Sequence, residues 1–273
     1  MKNILILLLV VAPLLGTSQK WEVGLFGGGS NYIGDVSDGL ETGDTYPAVG
    51  GLLRYYVTPY FNMRFGITYG VIGGHDGNSY NPDKFERNLS FKSNIYEIAL
   101  IPEFNVLGFR DGTGNFSPYL FAGVAAFNHN PQALYQGEWI DLQPLGTEGQ
   151  GTTAFPDREP YSLWGVAIPF GMGFKIGFGD GLNAGIEFGA RKTFTDYLDD
   201  VSTTYVDRDI LLIENGQLAA DLSNRSGELG TYIDFDSRDP RGNPTNQDWY
   251  MFGGITITYT LDDYRVKNAC PTF

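Results

Sequence analysis

The sequence predicts an all-β fold: an eight-stranded antiparallel transmembrane β-barrel with short periplasmic turns and long extracellular loops. Three observations predict it. First, every second residue from Trp164 to Phe178 is large and apolar, and the positions between are Gly, Ala, Pro or Lys. After Asp180-Gly181, residues Leu182, Ala184, Ile186, Phe188 and Ala190 repeat the pattern against Asn183, Glu187 and Arg191. A strand turns alternate side chains to opposite faces, so this hairpin has one apolar face and one small or charged face. Second, the connections between strand-like segments alternate between short and long, as they do between the two ends of a transmembrane barrel. Third, no segment after the N-terminal leader is apolar for long enough to cross a bilayer as a helix. A chain that spans without helices must close its sheet, because an open edge leaves backbone groups unpaired in lipid. A soluble sandwich would also explain one alternating hairpin, but it does not require alternating loop lengths.

Residues 1–18 read as a secretory signal: Lys2, the apolar run Ile4–Val11, then the small residues Gly16-Thr17-Ser18 before Gln19. The chain carries 18 Lys and Arg against 32 Asp and Glu, a net charge of −14. That balance disfavours nucleic acid, which selects a basic patch. The single cysteine, Cys270, excludes an internal disulfide framework. With 37 Gly, 17 Tyr and 19 Phe, the composition suits many turns and aromatic girdles.

In order, the expected strands are 21–33, 48–57, 61–71, 89–106, 117–127, 164–178, 182–191 and 248–261. The first holds Gly27-Gly28-Gly29, which permits sharp curvature. Thr58-Pro59 makes the turn before the third, whose Phe61, Phe65, Ile67 and Tyr69 oppose Asn62, Arg64 and Thr68. The fourth sets Tyr96, Ile98, Leu100 and Phe104 against Glu97 and Glu103. Asp180-Gly181 closes the sixth onto the seventh, since these residues tolerate positive φ. The barrel thus covers 19–261, with long loops near 128–160 and 192–247, a short helix or hairpin around 210–222, and a periplasmic tail at 262–273.

An eight-stranded barrel has a lumen just wide enough for its own side chains. Arg54, Arg64, Glu97, Glu103, Lys175, Glu187 and Arg191 are expected to pair there, because an unpaired inward charge is costly. His75 and His129 fall in loops, with Asp196, Asp199 and Asp200 in a third, but no nucleophile motif accompanies them and no catalytic residue is assigned. Asp196, Asp199, Asp200, Asp207 and Asp209 lack calcium-loop spacing and read as a solvated acidic face. No metal, cofactor or nucleotide fingerprint is present in the sequence.

Five strings carry a resemblance: Phe26–Gly29 with Tyr32–Asp35, Arg87–Phe91, Ser117–Gly123, Leu142–Gly151 and Arg191–Ser202. On these the chain resembles the PorG-like outer-membrane barrels of the Bacteroidota type IX secretion apparatus. The resemblance implies a non-enzymatic component of the secretion and gliding machinery. It would anchor a periplasmic ring of a PorK-like lipoprotein and its PorN-like partner at the outer membrane. Docking is then expected on the periplasmic surface, through Arg110 and Asp111 in the 107–115 turn and Tyr264, Arg265 and Lys267 in the tail. The alternative is a general surface barrel, either an adhesin-like binder or a small-molecule porin.

Overall fold

The computed structural model describes residues 20–40, 42–79, 81–109 and 115–261. The leader 1–18, Arg110, Asp111, Tyr264, Arg265, Lys267 and Cys270 lie outside the described residues. The strands are β1 (Lys20–Ile33), β2 (Tyr46–Tyr56), β3 (Phe61–His75), β4 (Ser90–Asn105), β5 (Phe116–Ala122), β6 (Val124–Asn128), β7 (Pro131–Tyr135), β8 (Glu138–Asp141), β9 (Trp164–Gly179), β10 (Leu182–Thr193) and β11 (Trp249–Leu261). Each pairs antiparallel with its neighbours in the order β1-β2-β3-β4, then β5 and β6, then β9-β10-β11. β11 returns to β1, from Trp21↔Leu261 to Ile33↔Trp249, and closes the ring.

β5 and β6 are one barrel strand. Glu103↔Phe121 and Leu100↔Val124 keep a single register against β4 on both sides of Gly123. The neighbour of Gly123 on the other side is Pro169, which accepts from the Gly123 amide at 2.9 Å but has no N–H to return. A Cβ at Gly123 would sit 2.3 Å from the Leu100 carbonyl oxygen, so the close approach of β4 requires glycine here. Counted this way, the ring has eight strands.

The outward positions form an apolar band. Val23 and Leu25, Phe65 and Ile67, Ile98 and Leu100, Met172 and Phe174, and Ile255 and Ile257 are all exposed on the outer wall. In a closed barrel such a band faces lipid. No described helix is long and apolar enough to cross a membrane.

At one end the connections are tight. Asp180 (φ 51°) and Gly181 (φ 84°) turn β9 into β10, the backbone that two-residue hairpins need. At the other end the loops build a cap. β3 continues to His75, past the expected end at Val71, because Val71–Gly74 are buried on both faces and the apolar–polar alternation is lost there. Helix α1 (Pro82–Arg87) follows, with Asn81 accepting from the Asp83 amide at its start. The 128–160 segment holds the β7–β8 hairpin, and β7 extends the edge of β4 through Lys92↔Gln132. The 192–247 segment holds α2 (Arg208–Glu214), capped by Asp207, and α3 (Gln217–Ser223). The apolar core lies in the upper barrel and under the cap, around Ile72, Ile95, Phe127, Leu198, Leu222 and Tyr250.

Candidate functional site

The lumen is filled by charge. Strand alternation turns Glu22, Arg54, Arg64, Glu97, Glu103, Lys175, Glu187 and Arg191 inward, and the ring geometry brings them together. Glu103 is the hub: its carboxylate lies 2.7 Å from Arg54, 3.1 Å from Arg64 and 2.6 Å from Lys175. Arg54 also pairs with Glu22, Arg64 with Glu187 at 2.5 Å, and Arg191 with Glu97 at 3.1 Å. Tyr56, Tyr119 and Tyr250 donate their hydroxyls to Glu22, Glu187 and Glu97. Four cations thus face four carboxylates, which removes the penalty of an uncompensated buried charge. Lys175 sits 4.3 Å above the Tyr119 ring and Arg191 4.5 Å above Phe252, and the ring faces add further attraction. The space left beside Arg64, Glu97, Glu187 and Arg191 is about 20 Å³, room for about one water.

Sequence reasoning omitted Glu22 and the three tyrosines from this network. Glu22 shares the inward parity of Phe26 on β1, a signal that the three consecutive glycines of that strand blur. A tyrosine on an inward position looks apolar in an alternation pattern although its hydroxyl is a donor.

At the lower mouth the residues after β4 pack inward. Phe109 is buried, its amide donates to the Pro59 carbonyl at 2.7 Å, and its ring stacks against Tyr56 at 6.5 Å. Asn105 donates to the same carbonyl at 3.1 Å and ties the end of β4 to the turn at Thr58–Tyr60.

The cap corrects the reading of Asp196, Asp199 and Asp200 as part of a solvated face, while Asp207 and Asp209 are exposed as expected. Asp196, Asp199 and Asp200 are buried, because two distant segments fold onto each other. From the 142–151 segment, Thr147 donates to Asp200 at 2.5 Å, and Glu148 accepts from the Ser202 and Thr203 amides at 2.9 and 3.0 Å. Arg241 binds Glu148 at 2.9 Å and also donates to the Asp200 carbonyl. Tyr161 donates to Asp200 at 2.7 Å. Arg87 binds Asp76 at 2.7 Å and donates to the Asp35 carbonyl at 2.9 Å. Tyr32, at the top of β1, reaches Asp199 and Asp248.

Burial sets the protonation of these groups. It pushes the Asp199 and Asp248 carboxyls well above the usual range, Asp196 up to about 7 and Asp200 up to about 6. For Asp200, Arg241 and the Thr147 hydroxyl pull the other way.

The histidines do not form a catalytic constellation. His75 is exposed and accepts from the Gly77 amide at 2.8 Å. His129 is fully buried, its Nε2 lies 3.2 Å from the Tyr197 carbonyl, and burial lowers it to about 4. Among the described residues no group of three His, Cys, Asp or Glu side chains is placed to hold a metal ion. Asp207 caps α2 instead.

Several solved structures resemble this chain, three of them as follows. Neisserial surface protein A (NspA) aligns at TM-score 0.44 and 8% identity, covering 88% of this chain and 96% of that one. Ail, the attachment invasion locus protein of Yersinia pestis, aligns at 0.37 and 7%, over 89% and 100%. The outer membrane protein OprG from Pseudomonas aeruginosa aligns at 0.35 and 10%, over 89% and 96%. No curated protein matches the sequence. The family model described as Domain of unknown function (DUF6089) matches residues 1–221, most of the chain, and the protein belongs to that family.

Proposed function

We propose that this barrel is a non-enzymatic outer-membrane component of a type IX secretion and gliding apparatus, anchoring a periplasmic ring of a PorK-like lipoprotein and its PorN-like partner. The observation that carries the reading is the filled lumen. Among the described residues, the Glu103 hub fills the middle of the lumen and Phe109 is buried below it, which supports a barrel that acts through its surfaces and not as a conduit. The apolar band holds it in the outer membrane, and the tight turns and the tail then face the periplasm. The resemblance in the Leu142–Gly151 and Arg191–Ser202 strings supports the same role. Those strings meet in the cap, where their work is to fold the extracellular end.

The test is deletion of 262–273, with Arg110 and Asp111 replaced by alanine in a second variant. Barrel level is checked first by heat-dependent gel mobility. Loss of the ring proteins on pull-down, with the barrel still inserted, supports the periplasmic docking surface; full retention in both variants overturns it. The rival reading, an adhesin-like surface barrel, draws on one observation, the dense hydrogen bonding of the cap around Glu148 and Asp200. It predicts a barrel without periplasmic partners.

A further inference from the structure

The outer face of the cap carries a groove of about 400 Å³ lined by Tyr135, Arg208, Asp221, Arg225, Glu228 and Tyr232. Arg208, Asn224 and Tyr232 also line a second, inner pocket of about 10 Å³, together with Tyr205 and Ser223. We propose that this groove binds an uncharged sugar.

Three features of the site point to that chemistry. The first is charge balance. Arg208 binds Asp221 at 2.7 Å and Arg225 binds Glu228 at 2.9 Å, so two cations meet two carboxylates and neither a polyanion nor a polycation is favoured. These pairs still present planar donors and acceptors to a ligand. Tyr135 donates to Asp221 at 2.8 Å, and Gln217 donates to both oxygens of the same carboxylate at 2.8 Å, so the polar walls are fixed before binding. The second is aromatic surface. Tyr232 is half exposed and lies under the Arg208 guanidinium at 6.0 Å. A tyrosine ring offers an apolar face with a polar tip, which matches a sugar ring with C–H groups on its face and hydroxyls on its rim.

The third feature is independent of the other two. Tyr205 and Ser223 are 3% and 2% exposed, and neither hydroxyl has a hydrogen-bond partner. A buried hydroxyl left unpaired is unfavourable. The inner pocket has room for about one small oxygen group. A ligand hydroxyl that reaches the inner pocket offers a buried hydroxyl there a partner, which an apolar ligand cannot do. The groove lies on the cap, outside the lipid-facing band, so the sugar comes from beyond the membrane. It is either free or part of a polysaccharide on a neighbouring lipid.

The experiment uses the full chain in a sugar-free detergent and reads saturation transfer by NMR. The probes are free glucose, galactose, mannose and rhamnose, and polysaccharide released from the cell's own outer membrane. Tyr232→Ala and Ser223→Ala both lie outside the barrel, and heat-dependent gel mobility checks that each is folded. Transfer to at least one probe is expected, weakened about tenfold by Tyr232→Ala and several-fold by Ser223→Ala. Transfer to free sugars assigns a soluble ligand; transfer confined to the released polysaccharide assigns a membrane-borne one. The proposal is overturned by no transfer from the folded wild type to any probe, or by transfer that both variants leave unchanged.

Discussion

The Tyr32 hydroxyl lies 2.6 Å from Asp199, a residue 167 positions away in the chain, and its second neighbour is Asp248 at 2.9 Å. A phenol has one hydrogen and can donate to only one carboxylate. For both contacts to attract, the other carboxyl must carry a proton. Burial supplies the reason, since it holds Asp199 and Asp248 well above the ordinary carboxylate range. The top of β1 is thus joined to both ends of the 194–248 loop through the Tyr32 hydroxyl.

Replacing Tyr32 with Phe keeps the ring against Phe91 and removes the hydroxyl. Both carboxyls then lose a buried partner, at a cost of about 1–3 kcal/mol. Hydrogen exchange across 195–203 should speed up accordingly while the barrel strands stay protected. Unchanged exchange in that segment would mean that Tyr32 does not hold the cap.

The cap should loosen as pH rises. Carboxyls raised in the folded cap bind protons that the open loops release, so stability falls once pH exceeds the ordinary carboxylate value and is lost through the folded pKa. For Asp200 and Asp196 that window runs from about 4 to about 6 and about 7. Arg87 and Arg241 soften the effect, and Asp35 and Glu148 add to it. Limited proteolysis with a protease active across the range should cut 194–248 faster at pH 8 than at pH 5. The reverse order would contradict the assignment of protonated carboxyls.

Glu103→Gln leaves Arg54, Arg64 and Lys175 with one carboxylate fewer in a buried lumen. Breaking such a network by removing one partner destabilises by about 3–5 kcal/mol. The urea midpoint of the refolded barrel in vesicles should fall by that equivalent. Asp38→Asn is the control, because its exposed carboxylate meets only Lys84 at 2.6 Å and should matter by about 0–1 kcal/mol.

Planar-bilayer recordings of the wild type should show no stable open channel, since the charged side chains beside Arg64, Glu97, Glu187 and Arg191 leave room there for about one water. Steady unitary conductance would restore the porin reading.

Much of the barrel is legible in the sequence because lipid on one side and charge on the other impose a period of two. Arg64 and Glu97 both stand on the polar parity of their strands, and both lie inside. That signal stops where the environment becomes the same on both faces. At Val71–Gly74 the cap covers what lipid covers lower down, and the alternation disappears although the strand continues. Gly123 is opaque for another reason: its requirement comes from the Leu100 carbonyl on a neighbouring strand. The cap is hidden most deeply. Asp199 and Asp200 look like any acidic loop, and what buries them is Glu148, Arg241 and Tyr32, which only the fold brings near.

The most direct measurement is co-purification of the tagged protein from native outer membranes in mild detergent, with the recovered proteins identified by mass. A periplasmic lipoprotein and its ring partner are the expected companions. A clean barrel recovered alone, at normal level and correctly folded, would contradict the anchoring role.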